Sequence, residues 1–187
     1  MIENDRRLLH SGYVKLTGFI ALFLIVTLLA GCKKSGETTA APPSLDDLLP
    51  KQAQPKLPTM KIYVGPETLD TELALTEQQE RTGMMFRTNI QETDTMLFVL
   101  PVPQRASFWM KNCPESLSAA YIGPDGVIEE IHHLEQNDTN SVVAANDNIQ
   151  YVLETKDGWF ARHNISPGMV IRTETGSLAE TFFQNRQ

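Results

Sequence analysis

Residues 119–134 read A-A-Y-I-G-P-D-G-V-I-E-E-I-H-H-L. Two apolar-rich runs, Ala119–Ile122 and Val127–Leu134, flank the turn residues Gly123-Pro124-Asp125-Gly126. Glycine and proline at such a junction supply the backbone angles of a tight reversal, so the stretch predicts an antiparallel hairpin. The same signals recur on either side. Leu69, Thr71 and Leu73 alternate with Asp70 and Glu72, a period of two that predicts a strand. Met96–Leu100 and Phe108–Lys111 are short strand candidates separated by Pro101 and Pro103. Tyr151–Thr155 and Met169–Thr173 add two more, the second behind the turn Ser166-Pro167-Gly168. One helix is predicted: Thr76-Glu77-Gln78-Gln79 has the capping-box pattern, and Gly83 can stop the helix after about two turns. Roughly seven short strands and one short helix over residues 60–175 predict a single mainly-β domain, a β-sandwich or partly closed barrel. Residues 176–187 form a tail without an assignment.

Residues 33–59, before the domain, hold five prolines and no aromatic residue, which is too little to build a packed core. Residues 32–59 are expected to be a flexible tether with a root-mean-square reach of roughly 30 Å. Further upstream, Arg6, Arg7 and Lys15 precede an uncharged run from Gly18 to Ala30. A helix of that length spans about 20 Å, short of the roughly 30 Å hydrocarbon core. It reads as the apolar region of an export signal and not as a permanent span. The run closes with Leu29-Ala30-Gly31-Cys32, which resembles a bacterial lipobox. That resemblance implies that residues 1–31 are a lipoprotein signal peptide and that Cys32 carries the lipid as the mature N-terminus. An ordinary signal anchor with a chance cysteine is the alternative. Lys33 stands where an aspartate holds many Gram-negative lipoproteins in the inner membrane, so the outer membrane is the expected destination in such a host.

The chain has a net charge of −7, with 41% hydrophobic and 21% charged residues, proportions ordinary for a folded domain. Residues 1–31 carry three basic and two acidic side chains, so the mature form would be at −8. An acidic balance argues against a non-specific nucleic-acid binder, which needs a basic face to release phosphate counterions. Two cysteines cannot make a disulfide framework or a four-thiolate zinc site. The chain carries no H-E-x-x-H, Gly-x-Ser-x-Gly, Cys-x-x-Cys or phosphate-cradling glycine loop, so no cofactor or metal is predicted.

Several segments together resemble the bacterial and archaeal family known as domain of unknown function 192. They are T-G-M-M-F-R (Thr82–Arg87), M-L-F-V-L (Met96–Leu100), S-F-W-M-K-N (Ser107–Asn112), Y-V-L-E (Tyr151–Glu154), Gly158 and Gly168. The resemblance spans about residues 66–175 and implies a small jelly-roll-like β-domain; it implies no particular reaction. The chain departs from the family pattern after Asn112. Family members run through a Thr and then Pro-Leu-Asp, whereas here Cys113-Pro114-Glu115-Ser116-Leu117-Ser118 follows, with Ser118 at the carboxylate position. Gly168-Met169 likewise replaces a Gly-Asp. No role resting on those carboxylates is implied for this chain.

The candidate ligand-binding residues are Arg87, Trp109, Lys111, Asn112 and Glu154, all within the recognised motifs. If Phe108–Lys111 is a strand, Trp109 and Lys111 share a face, an apolar body beside a cation. Arg87 and Glu154 could join Lys111 in a polar cluster that positions a ligand, or could instead form a structural ion pair. Cys113 would be a nucleophile only if one of His132, His133 and His163 lowered its pKa, and a packing role is the simpler reading. His132 and His133 are adjacent and would face opposite sides of a strand. Three functions stay open. The leading one is a lipid-anchored, envelope-facing binding or accessory module for a small molecule, a glycan or another envelope protein. The others are an enzyme on a small envelope substrate, using Arg87, Lys111 and Glu154, and a purely structural envelope protein.

Overall fold

A computed structural model describes Ser44 and residues 49–184. The expected signal peptide, Cys32 and most of the expected tether lie outside the described residues. Among the described residues, ten strands and three short helices follow one another in chain order. They are β1 (Thr59–Val64), β2 (Glu67–Ala74), α1 (Glu77–Thr82), β3 (Met96–Gln104), β4 (Ser107–Phe108), β5 (Leu117–Ile122), β6 (Ile128–Leu134) and β7 (Val142–Val143). The series ends with β8 (Ile149–Lys156), α2 (Trp159–Arg162), β9 (Ile171–Thr173), β10 (Gly176–Ser177) and α3 (Leu178–Phe183).

The sequences M-L-F-V-L, L-S-A-A-Y-I and Y-V-L are apolar at both parities, so their strands must be covered on both faces. That requirement puts β3, β8 and β5 inside an eight-stranded sheet of order β10-β9-β1-β2-β3-β8-β5-β6. The sheet curls into a half-barrel. Alternate residues feed two cores. Met96, Phe98, Leu117, Ala119, Tyr121 and Val152 meet Met84, Met85, Met110 and Cys113 on one face. Leu97, Val99, Ala120, Ile122, Tyr151 and Leu153 meet Trp159, Phe160 and Leu178 on the other. Most neighbours pair antiparallel; β2 and β3 run parallel, and the 21-residue crossover between them carries α1. β4 and β7 make a separate two-stranded ribbon.

The mainly-β expectation holds, as does the hairpin at Gly123–Gly126, with Ala119 opposite His132 and Ala120 opposite Ile131. The capping box at Thr76 is present in full, and Gly83 ends α1 with φ of 46°. Three expectations need correction. Among the described residues three helices replace the single predicted one: α2 has four residues, and α3 begins with a second capping box, Ser177 with Glu180. α3 falls within residues 176–187, for which the sequence predicts no element, yet Leu178 is fully buried and Phe182 and Phe183 pack against Tyr151. Second, Phe108–Lys111 is not a strand. Only Ser107–Phe108 is extended, and Asn112 adopts a left-handed φ of 61° that turns the chain. Third, Pro101 and Pro103 do not interrupt β3; they occupy its exposed half, where the pairing with β8 is irregular between Val99 and Gln104.

The end of the expected tether lies against the domain. Gln54 Nε2 donates to the carbonyls of Gln79 and Gly83, at 3.2 and 3.0 Å, satisfying acceptors at the end of α1. Leu57 packs on the first core, and its N–H donates to Glu72.

Candidate functional site

Strand register sets a row of side chains across the sheet. Glu72 of β2 lies beside Met96 of β3, Met96 opposite Glu154 of β8, Glu154 opposite Ala119 of β5, and Ala119 opposite His132 of β6. Residues in one row point to one face, so both glutamates face the methionine-rich core. At 4.7–4.9 Å per strand the two backbones are roughly 10 Å apart. Both side chains are buried, Glu72 at 2% and Glu154 at 4% exposure.

Their surroundings separate them. Glu72 accepts a bidentate pair from Arg87, 2.7 Å from Nη1 and 2.8 Å from Nη2, and a third bond from the Leu57 N–H at 2.7 Å. Burial opposes ionisation of this carboxyl, but the Arg87 hydrogen bonds, the Leu57 N–H and the guanidinium charge outweigh it and hold the pKa below its ordinary value. Glu154 has no such support. Its Oε2 is buried without a hydrogen-bond partner, and burial pushes its pKa up to about 8 against a weak opposing pull from Arg87. At neutral pH the side chain is mostly a protonated acid.

Local backbone geometry explains why Arg87 takes Glu72. After Gly83 the chain turns through Met84 and Met85, and Phe86 adopts a left-handed φ of 61°. The Phe86 N–H donates to the Asn112 carbonyl at 2.7 Å, joining two left-handed residues. This stitch sends Arg87 back over β2, where the Glu72 fork matches its planar guanidinium.

Glu154 forms part of the lining of a cleft of about 340 Å³. Gly83–Met85, Phe98, Leu100, Phe108, Trp109 and Cys113 contribute further to this lining, together with Glu80, Arg81 and Arg105. Phe98 and Phe108 meet edge to face at 5.0 Å. The Cys113 thiol is pushed up to about 12, by burial first and then by the Glu154 charge. None of the three histidines considered as its activator is engaged with it. His132 pairs with Glu130 and lies against Tyr121; His133 is held between Asp157 and Glu135; His163 stacks on Trp159 beside Glu67 and Glu92. Cys113 is therefore a packed, protonated thiol and not an activated nucleophile.

Of the five candidates, Trp109 and Glu154 line this cleft together. Arg87 lines a second cleft of about 270 Å³ with Gln54, Lys56, Glu72 and Asp94. Lys111 sits with Nζ 5.7 Å from the centre of the Trp109 ring, in a turn, and does not line the main cleft. Asn112 serves through its backbone. The expected Arg87–Lys111–Glu154 cluster is replaced by the Arg87–Glu72 pair, because the register puts Glu72 on the same face as Glu154 and the Leu57 N–H completes its coordination. Glu72 in the β2 alternation, Met84 and Met85 in the T-G-M-M-F-R motif, and the Gln54–Leu57 segment carry no site assignment in the sequence. The alternation sets Glu72 with Asp70 on the polar side, but in the structure only Asp70 is exposed; Glu72 is buried because Arg87 and the Leu57 N–H take up its carboxylate. Among the described residues no group of three or more His, Cys, Asp or Glu side chains is arranged to hold a metal.

The fold and this lining define a small half-barrel domain with a cleft that joins aromatic and thioether walls to charged side chains and the buried Glu154 carboxyl. The chain belongs to the DUF192 family, described as "Uncharacterized ACR", whose model matches residues 60–173. A protein of unknown function from Novosphingobium aromaticivorans DSM 12444 shares the fold with a TM-score of 0.60 and 28% identity, over 71% of this chain and 94% of its own. A candidate transcription regulator from Sinorhizobium meliloti 1021 aligns with a TM-score of 0.56 and 26% identity, over 61% and 91%. No curated protein sequence matches the chain.

Proposed function

We propose that this domain is a binding module that takes a small molecule in the cleft between the end of α1 and Trp109, and that it works at the cell envelope, anchored through Cys32. The observation that carries the binding role is Oε2 of Glu154, a buried acceptor with no partner inside the protein. Leaving such a group unsatisfied costs about 1–3 kcal/mol, and a ligand group reaching the floor would remove that cost. The aromatic and thioether walls fit the usual makeup of small-molecule sites, mostly apolar with a few directed polar groups. The lipobox-like Leu29–Cys32 and Lys33 support the envelope and, in a Gram-negative host, the outer membrane. The partner set is then a membrane through the lipid, plus a ligand in the cleft.

The test is a thermal-shift panel of envelope-derived small molecules and glycan fragments on the full chain in detergent, repeated with Trp109→Ala and Glu154→Gln. A ligand whose shift disappears in both variants supports the reading. No shift across the panel, or one unchanged in both variants, overturns it.

One observation favours an enzymatic second reading: a buried acid near pKa 8 is tuned for general acid–base work at neutral pH. Glu154→Gln would then abolish turnover while ligand binding survives. Binding is preferred because Cys113, its titratable neighbour in the cleft, stays protonated and Arg87 is committed to Glu72.

A further inference from the structure

We propose that Asn137 is an acceptor for N-linked glycosylation, taking an oligosaccharide on its carboxamide nitrogen from a polyprenyl-diphosphate carrier on the non-cytoplasmic side of the membrane. The inference rests on the envelope location proposed above and is independent of the cleft.

Two Asn-x-Ser/Thr sequences occur in the chain, Asn137-Asp138-Thr139 and Asn164-Ile165-Ser166. Only the first has an acidic residue two positions before the asparagine. That residue, Glu135, completes the Asp/Glu-x-Asn-x-Ser/Thr pattern read by bacterial oligosaccharyltransferases. The second has Arg162 there and Pro167 behind it. A pattern this permissive also arises by chance, so its placement in the fold decides between an acceptor and a coincidence.

Chemistry sets the placement an acceptor needs. A carboxamide nitrogen is a weak nucleophile because its lone pair is shared with the carbonyl. The transferring enzyme has to grip and twist the amide, using the amide itself and the hydroxyl two residues on. Both groups must therefore lie at the surface without bonds to the protein, on a segment whose middle residue is not anchored in a core.

Asn137–Thr139 meets each condition. It lies in the loop of residues 135–141 that joins β6 to β7. Glu135, Gln136, Asn137 and Thr139 are exposed, and Asn137 turns the chain at a left-handed φ of 57°, an angle asparagine tolerates. Among the described residues neither the Asn137 carboxamide nor the Thr139 hydroxyl has a hydrogen-bond partner. The turn is held by its backbone instead. The Asn137 N–H donates to the Cys113 carbonyl at 2.9 Å, and the Met110 N–H donates to the Asp138 carbonyl at 2.8 Å. Asp138, the middle residue, belongs to neither core, and its Oδ1 accepts from the N–H and Nδ2 of Asn140, both at 2.9 Å. The Glu135 side chain is 62% exposed, with the Ser116 hydroxyl and His133 Nε2 each 3.2 Å from one of its oxygens. Exposed contacts of this kind contribute little and yield to a cationic group of an enzyme.

Asn164-Ile165-Ser166 fails the same conditions. Ile165 is buried in the second core, and its N–H donates to the Phe160 carbonyl at 2.8 Å, so that tripeptide cannot be lifted out without opening the core. Arg162 is paired with Glu92 and offers no carboxylate.

The transfer balances without an oxidant or reductant. A bond forms between Nδ2 of Asn137 and the anomeric carbon of the first sugar. The bond from that carbon to the diphosphate oxygen breaks, Nδ2 loses one proton, and polyprenyl diphosphate leaves with the electron pair.

The experiment expresses the full chain in a bacterial host that processes lipoproteins and carries an oligosaccharyltransferase of this specificity with its lipid-linked oligosaccharide. The chain is purified from whole cells in detergent and read by intact-mass spectrometry and peptide mapping. The expected result is a gain of one oligosaccharide on the peptide containing Asn137. The gain should be lost in Asn137→Gln, Thr139→Ala and Glu135→Gln, and kept in Thr139→Ser and Asn164→Gln. A glycan that persists in Asn137→Gln overturns the proposal. A second chain, with residues 1–31 replaced by an established lipoprotein signal, separates acceptor failure from export failure. Glycosylation of that chain alone upholds Asn137 and overturns the export role of residues 1–31. A chain that is exported and keeps its unmodified mass overturns Asn137 and leaves the envelope location standing.

Discussion

Replacing Glu154 by Gln keeps the shape of the side chain and removes its titration. In the folded chain burial moves this carboxyl from 4.5 to about 8, while the unfolded chain ionises it in water at the ordinary value. Between those two pH values the folded chain holds a proton that the unfolded chain has lost, so stability falls as pH rises. Each pH unit is worth about 1.4 kcal/mol, so the native chain loses about 3 kcal/mol from this group between pH 4.5 and 7, and about 4 kcal/mol by pH 8, where it is half titrated. That is a large share of a typical domain stability of about 5–15 kcal/mol. Glutamine is neutral throughout, so Glu154→Gln should match the native chain near pH 5 and exceed it increasingly toward pH 8. The difference between the two curves carries the test. Hydrogen bonds to Asp157 and Glu135 raise the His133 pKa, so its contribution also fades as pH rises, but equally in both chains. Urea unfolding at pH 5, 6, 7 and 8, followed by circular dichroism, gives both curves. A difference that stays constant within about 0.5 kcal/mol over this range would mean that Glu154 is ionised in the folded chain, and the reasoning would fail.

Arg87→Ala leaves the Glu72 carboxylate buried without its guanidinium, and urea unfolding at pH 7 should show a loss of about 3–5 kcal/mol. Arg87→Lys, which cannot fork, should recover only part of it; a loss below about 1 kcal/mol for Arg87→Ala would contradict the pairing. In a Cys32→Ser chain, Cys113 should react with iodoacetamide at pH 8 about a thousandfold more slowly folded than in urea, since its thiol moves from 9.0 to about 12. Comparable rates would refute its burial. Gln54→Ala removes two acceptor bonds at the end of α1 and should cost about 1 kcal/mol, read as an earlier urea midpoint at unchanged slope. Cys32→Ala should release the chain from the membrane fraction and end palmitate labelling; a protein that stays in the membrane would rule out the lipid anchor.

What the sequence determined by itself was local. The hairpin at Gly123–Gly126, the alternation through Leu69–Leu73 and the capping box at Thr76 rest on residues within a few positions of one another, so their reading needs no knowledge of the rest of the chain. The motif from Ser107 to Asn112 likewise marked one cleft wall through Trp109. The tertiary structure decided the rest. Glu72 and Arg87 are 15 residues apart and meet only because β2 lies parallel to β3 and the Phe86–Asn112 stitch turns the chain back. Lys111 left the cluster because the chain already turns at Lys111 and Asn112, so the strand expected over Phe108–Lys111 does not form. Glu154 reads in sequence as an ordinary carboxylate at the end of an apolar run. Its neutral state comes from Met96 and Ala119 on the neighbouring strands and from the guanidinium that went to Glu72, since desolvation belongs to the surroundings of a group and not to the group itself.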